Sequence, residues 1–428
     1  MAQLLALLAA CLAASVVLAR RPMHAVALVL GLWIAIPAIG SPIFTGQPST
    51  SGIGFHPAAW LTLTVVAVQL LWNPRPFARA VGRHGLLTLA LGVFVIGAAM
   101  TSVLAGSGGT KLLVNMIVTP VLLLFLILAH GVGDERSVRL LRNTVLVGAA
   151  CQAVLALVQT ALGDVLFFQQ QFAAQYWFRG ERQDRWMGTT DGHLTLALLV
   201  SVAAMMSLGL RKAGLRFFLL MLYTAGVLAT QSRTGVLFLV LAVTIAVLLV
   251  KMPLWSRLLS LGAVAVASVG ILALGLADGF FGRLEYDTGS SNARASALNF
   301  FLLSTREYLI GGAGLTASYA IGRAGGLQTS IESSILMYAI DVGLVLAVIY
   351  FGTMVVIVLR HAALAPPWAT LAAGTAFVLV NSSSALAFSN LAGALLWVTI
   401  AIVMASSYVV LPKRSATDLD LVAVRQAP

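Results

Sequence analysis

Thirteen apolar runs separated by short polar breaks make up most of this sequence of 428 residues. They lie near 3–19, 23–41, 57–73, 85–105, 112–130, 138–162, 193–210, 217–231, 234–250, 258–277, 333–359, 367–384 and 386–410. A run of about 20 apolar residues crosses bilayer hydrocarbon as a helix, because only a helix satisfies every backbone N–H and C=O within one segment. Thirteen such spans use about 260 residues, close to the 60% apolar fraction. Charged residues make up only 9%, against roughly 25% in a soluble domain. These proportions exclude a soluble globular enzyme, a disordered chain and a nucleic-acid binder. The expected fold is an all-α polytopic membrane protein with about 12–13 transmembrane helices.

The net charge of +12 is read against that bilayer. Lys and Arg fall at alternate breaks: Arg20 and Arg21; Arg75, Arg79 and Arg83; Arg136, Arg139 and Arg142; Arg211, Lys212 and Arg216; Lys251 and Arg257; Arg360; Lys413 and Arg414. A Lys/Arg excess marks cytoplasmic loops. Placing these breaks in the cytoplasm fixes every loop side consistently, with a cytoplasmic C-terminus. Thirteen spans put the N-terminus outside; if the first run does not span, the count is twelve and the N-terminus is inside. The first run lacks the charged n-region of a signal peptide and reads as a retained span. Leu8-Ala9-Ala10-Cys11 follows too short and uncharged a stretch to be a lipoprotein box. Cys11 and Cys151 both lie in apolar runs, so neither a disulfide framework nor a cysteine metal site is expected.

The chain then divides into N-terminal transmembrane helices (1–162), a first long outer loop (163–192), central helices (193–277), a larger outer loop (278–332), C-terminal helices (333–410) and a cytoplasmic tail (411–428). Loops of such length in a compact protein are usually functional or disordered. The first carries Phe167, Phe168, Phe172, Tyr176, Trp177, Phe178 and Trp186. That pattern suggests an amphipathic helix on the membrane surface.

The outer loops break the charge rule. The first holds Arg179, Arg182 and Arg185; the second holds Arg283, Arg294, Arg306 and Arg323. The arginine fork matches phosphate oxygens and stays charged, so an anionic ligand such as a lipid diphosphate is one reading. Pairing with Glu181, Asp184, Glu285, Asp287 and Glu307 is the other. Arg233, in Gln231-Ser232-Arg233-Thr234-Gly235, sits at a hairpin tip between two apolar runs. It either snorkels or faces a wet cavity. Glu332 opens the next apolar run, where it is either a general base on a sugar hydroxyl or a helix-terminal acid favoured by the dipole. Asp341 lies nine residues further on, about 13 Å deeper along a continuous helix. It is a functional carboxylate with a cationic partner or one member of a structural pair.

His24, His56, His84, His130, His193 and His361 show no metal-ligand spacing, and only His193 follows an outer loop. The chemistry expected is metal-independent, without a cofactor. Gly311-Gly312-Ala313-Gly314 follows no strand, so a nucleotide-binding reading is weak.

Four segments together resemble the O-antigen ligase and Wzy-type polymerase family of membrane glycosyltransferases. Arg185-Trp186-Met187-Gly188-Thr189-Thr190, running on to His193 and an apolar span, is similar to the family's Arg-x-x-Gly-Thr segment. Ser232-Arg233 is similar to its hairpin Ser-Arg. Ser291-Asn292-Ala293-Arg294, with Gly312-Ala313-Gly314 downstream, resembles the Gly-Arg…Gly-x-Gly arrangement of its large periplasmic loop. Glu332-Ser333-Ser334-Ile335-Leu336, with Asp341-Val342-Gly343-Leu344 beyond, resembles its His-Asn-x-x-Leu segment. The likeness covers roughly residues 185–350. It departs from the ligases at Glu332, where they carry His, which shifts the reading toward a polymerase.

The resemblance implies a GT-C-like architecture in the bacterial inner membrane, with the two long loops periplasmic. It implies an inverting transfer at the periplasmic face from an undecaprenyl-diphosphate-linked glycan donor, polymerising O-antigen or exopolysaccharide repeats. Arg185, Arg233 and Arg294 would hold the diphosphate, and Glu332 would take the acceptor's proton. His193, Arg179, Arg182, Arg323 and Asp341 are further candidates. Partners implied are a glycan or lipid A-core acceptor, membrane lipids and a chain-length regulator. The nearest rival is an O-antigen ligase. From other classes, a lipid-linked sugar flippase would concentrate polar residues in mid-membrane and carry repeats, and a non-catalytic assembly protein is the remaining alternative.

Overall fold

The computed structural model describes residues 1–47, 51–175, 178, 185–249, 253–273, 289–327 and 331–424. Among them the regular structure is entirely helical. The helices are α1 (Ala2–Val17), α2 (Pro22–Ala35), α3 (Ser41–Thr45), α4 (Pro57–Trp72), α5 (Pro74–Arg83), α6 (Gly85–Leu104) and α7 (Thr110–His130). There follow α8 (Glu135–Leu162), α9 (Gln169–Ala173), α10 (His193–Ser207), α11 (Ala213–Ala229), α12 (Arg233–Leu249) and α13 (Leu254–Ala273). The last are α14 (Gly289–Ser304), α15 (Ala317–Ala324), α16 (Ser334–Val342), α17 (Leu344–Ala362), α18 (Pro367–Asn381), α19 (Ala385–Phe388) and α20 (Asn390–Val424).

Five of these helices are long and apolar enough to cross a membrane: α6, α7, α8, α17 and the Asn390–Tyr408 part of α20. Shorter apolar helices fill the other runs. This is an α-helical protein of membrane type. Large apolar side chains on its periphery face outward: Leu86 on α6 is 80% exposed and Leu359 on α17 69%. A soluble protein seldom exposes contiguous surface of that kind. The centre is α20, whose apolar segment is 94% buried. Trp397 on it donates its indole N–H to the Tyr350 hydroxyl at 3.0 Å. Tyr350 stacks on Phe94, with centroids 4.1 Å apart, and so ties α17 to α6.

The polar breaks sort into two ends. At one, Gln69 donates to the Ala19 carbonyl, Arg83 and His361 lie against the Tyr408 ring, and Arg142 donates to the Gly209 carbonyl. This end gathers the basic breaks. At the other, Asp191 accepts from the Ala38 N–H and the Ser389 hydroxyl, and the Leu315 N–H donates to Ser102. This end carries the long loops.

Three expectations about continuity are corrected. The run 23–41 is not straight: its two halves meet at 92°. Pro37 has no N–H to continue the ladder and holds Ile36 extended, at φ −111° and ψ 121°. The run 333–359 is broken at Gly343, whose φ is +98°. A Cβ there would lie 2.5 Å from the Ile310 carbonyl oxygen, so the 310–316 segment seats itself in the gap. Asp341 therefore sits in the last turn of the short α16, outside the membrane-length helix α17, and not deep within a span.

The third correction concerns the 163–192 loop. Only α9 is helical among its described residues. Phe172 and Met187 are fully buried and Trp186 nearly so. Gln152 and Gln159 on α8 accept from the Thr189 and Gly188 N–H groups at 2.8 and 2.9 Å. Its 186–192 end is plugged into the bundle, which seals Trp186 inside, whereas Phe167 stays 55% exposed on the surface. Tyr176 and Trp177 lie outside the described residues.

Candidate active site

The α11–α12 turn carries Arg233. Gln231 takes a left-handed conformation at φ +51°, which ends α11. The Ser232 hydroxyl accepts from the Gly235 N–H at 3.1 Å, capping α12. Arg233 is thus the first residue of a helix, where the dipole disfavours a cation. Gly235 lets this turn sit close to α10, since a Cβ there would meet the Ala197 Cβ at 3.0 Å.

Arg185 is tethered to the same turn. Its Nε donates to the Thr230 carbonyl at 3.3 Å, and the adjacent Trp186 N–H donates to the Ala229 carbonyl at 3.2 Å. Two arginines 48 positions apart are therefore carried by one turn.

Glu332 owes its position to the residues after it. Ser333 is the N-cap of α16, its hydroxyl accepting from the Leu336 N–H. The Ser334 hydroxyl lies 2.9 Å from the Val380 and Ser383 carbonyls and accepts from the Leu386 N–H. Capping is done by Ser333, so Glu332 stands outside the helix and is not its terminal acid. Its carboxylate pairs with Arg294 on α14, Nε to Oε2 3.4 Å. The side chains are 27% and 43% exposed. An ion pair so open to water adds at most about 1 kcal/mol of stability.

Arg294 also reaches the α12 turn. Together with Ser232, Thr234, Ser382, Ser383 and residues of α10 and α18, it lines a cavity of about 20 Å³, room for about one water. Two of the four motifs, through Ser232 and Arg294, thus line one small cavity, and Glu332 of a third is joined to them by its pair with Arg294. Ser382 and Ser383 were not picked out by the sequence reading. The signal was there: Asn381-Ser382-Ser383-Ser384 is a polar run between two apolar ones.

The remaining candidates fall differently. The Asp341 carboxylate accepts from the Thr316 and Ser318 N–H groups, at 3.1 and 2.7 Å. The Ala313 and Gly314 N–H groups donate to the Ile340 and Asp341 carbonyls. The Gly312–Gly314 motif is therefore a backbone dock onto the end of α16, and a Cβ at Gly312 would lie 2.2 Å from the Asp341 carbonyl oxygen. Burial pushes the Asp341 carboxyl up to about 6. His193 opens α10, one residue before the cavity-lining Leu194. Arg323 lies exposed in the last turn of α15. Arg179 and Arg182 lie outside the described residues. Among the described residues, no three His, Cys, Asp or Glu side chains are grouped as metal ligands.

No protein-family model matches the chain, and no curated protein sequence does.

Proposed function

We propose that the chain is an inverting glycosyltransferase acting on undecaprenyl-diphosphate-linked glycans, and that it polymerises O-antigen or exopolysaccharide repeat units. The observation that carries this reading is the pairing of Glu332 with Arg294 beside the turn that bears Arg233 and tethers Arg185. One carboxylate and three arginines suit a displacement with an anionic leaving group. The acceptor hydroxyl oxygen attacks the anomeric carbon and passes its proton to Glu332. The bond from that carbon to the diphosphate oxygen breaks, and the electron pair leaves with the diphosphate. Arg185, Arg233 and Arg294 stabilise the charge that develops. The diphosphate is a good leaving group, so positioning and charge are the main contributions and the reaction is metal-independent.

In this reading the bundle has 12–13 spans of GT-C-like type in a bacterial inner membrane. The end with the long loops faces the periplasm. The basic end faces the cytoplasm, in line with the excess of Lys and Arg there. The donor's lipid tail stays in the bilayer while its diphosphate meets the arginines.

The test is an assay of purified protein with a short undecaprenyl-diphosphate-linked repeat in the presence of EDTA. Wild type should give a ladder of longer lipid-linked glycans, and Arg233→Ala, still inserted in membranes, should give none. No ladder until lipid A-core is added would make the protein a ligase. A normal ladder from Arg233→Ala removes the diphosphate role, and no product with any acceptor favours a flippase.

A further inference from the structure

The basic end of the bundle holds a cavity of about 590 Å³, within the size range of small-ligand sites. Its walls come from the start of α8, the α10–α11 turn, the start of α18 and α20. Arg139, Arg142, Arg211 and Lys212 line it, against the single carboxylate of Glu135. Arg142 is the most constrained of the four. It donates to the Gly209 carbonyl at 3.1 Å and lies 5.5 Å from the Trp368 ring centroid. Its Nε is buried with no hydrogen-bond partner among the described residues. A buried donor left unpaired costs about 1–3 kcal/mol, and four cations around one cavity repel each other. An anion in the cavity removes that repulsion.

The rim indicates which anion. Leu215 lines the cavity and is 46% exposed, and Phe218, nearly one turn further along α11, is 60% exposed. Both are apolar groups on the outside of a membrane-type bundle, next to a cationic chamber. A soluble phosphate gains nothing from that apolar rim. A phospholipid does, with its phosphate among the arginines and its chains against Leu215 and Phe218. Basic chambers between membrane helices take anionic headgroups in this way.

We propose that this cavity binds the phosphodiester headgroup of an anionic phospholipid and thereby clamps α8, α11, α18 and α20 together at the end of the bundle opposite the candidate active site. Glu135 competes with the phosphate: its pair with Arg139, at 2.7 Å and largely exposed, opens when the headgroup enters.

The test is thermal unfolding of the full chain in nanodiscs. Neutral phosphatidylcholine is compared with the same lipid containing phosphatidylglycerol, and with neutral discs in phosphate buffer. Phosphatidylglycerol should raise the midpoint by about 3–5 °C. The double variant Arg211→Gln/Lys212→Gln, at exposed positions that carry no fold, should abolish most of that rise. Glu135→Gln should enlarge it. Arg20→Gln/Arg21→Gln neutralises two exposed arginines outside the cavity and should leave it intact. Arg142→Gln, if it folds, should behave as the double variant does. The proposal is overturned if phosphatidylglycerol has no effect, if the double variant keeps the full rise, or if the Arg20/Arg21 control loses it equally. An equal rise from inorganic phosphate in neutral discs would overturn the lipid source and leave a soluble anion.

Discussion

Glu332 and Asp341 flank one short helix, α16, and have opposite surroundings. Glu332 stands before its N-cap, open to water, against the side chain of an arginine from another helix. Asp341 lies in its last turn, almost wholly buried, held by two backbone N–H groups. The first arrangement contributes little to stability and leaves the carboxylate reachable. The second satisfies a loop's backbone and leaves the carboxylate sealed. A carboxylate's role thus follows from what its oxygens touch more than from its depth along a helix.

That contrast can be broken at either end of α16. The largest effect is expected from Glu332→Gln, which keeps the shape and removes the proton acceptor. Polymer formation should fall by about 10³-fold, about 4 kcal/mol of barrier, with the melting midpoint unchanged. Full activity in this variant would reduce Glu332 to a surface ion-pair partner. Gly312→Ala should do the reverse. Its Cβ meets backbone that cannot yield, 2.2 Å from the Asp341 carbonyl oxygen, and should cost about 3 kcal/mol of stability. Loss of activity without loss of stability in Gly312→Ala would place chemistry at the wrong end of α16. Asp341→Ala leaves the Thr316 and Ser318 amides unpaired and should cost about 2–3 kcal/mol, read as a lower midpoint of thermal unfolding. An unchanged midpoint would make the loop's anchorage independent of the carboxylate.

Hydrocarbon burial leaves its mark residue by residue, so the thirteen apolar runs located helices. What breaks a run was less legible. Pro37 was visible as a residue, but its 92° consequence depends on Asp191 and the following turn packing against it. Gly343 looks like any other glycine until the 310–316 segment is seen to occupy the break. At the site, Arg233 and Ser232 were legible because a charge between two apolar runs is costly. The Arg294–Glu332 pair was not, since 38 positions of chain separate the partners and only tertiary packing joins them. The aromatic loop misled for a physical reason: composition cannot tell an apolar face laid on lipid from one laid on protein. Gln152 and Gln159, two amides inside an apolar run, were the available hint that a polypeptide docks there.

The remaining effect, read as a slope against pH, is the most specific to Asp341. Burial pushes its carboxyl from an ordinary 3.8 up to about 6, against the opposing pull of the Thr316 and Ser318 amides. In the unfolded chain the group ionises near its ordinary value. Between about pH 4 and pH 6 the folded state therefore binds more protons than the unfolded state. This contribution to stability is largely in place at pH 4 and lost as pH rises through 6, by about 3 kcal/mol in all. Unfolding followed from pH 4 to pH 7 should show that decline in wild type. Asp341→Asn should lack it, because no proton is left to exchange, whereas Glu332→Gln should retain it. The same decline in Asp341→Asn would assign it to another buried acid, such as Asp191, whose carboxyl burial also raises, and would remove titration from the contrast between the two ends of α16.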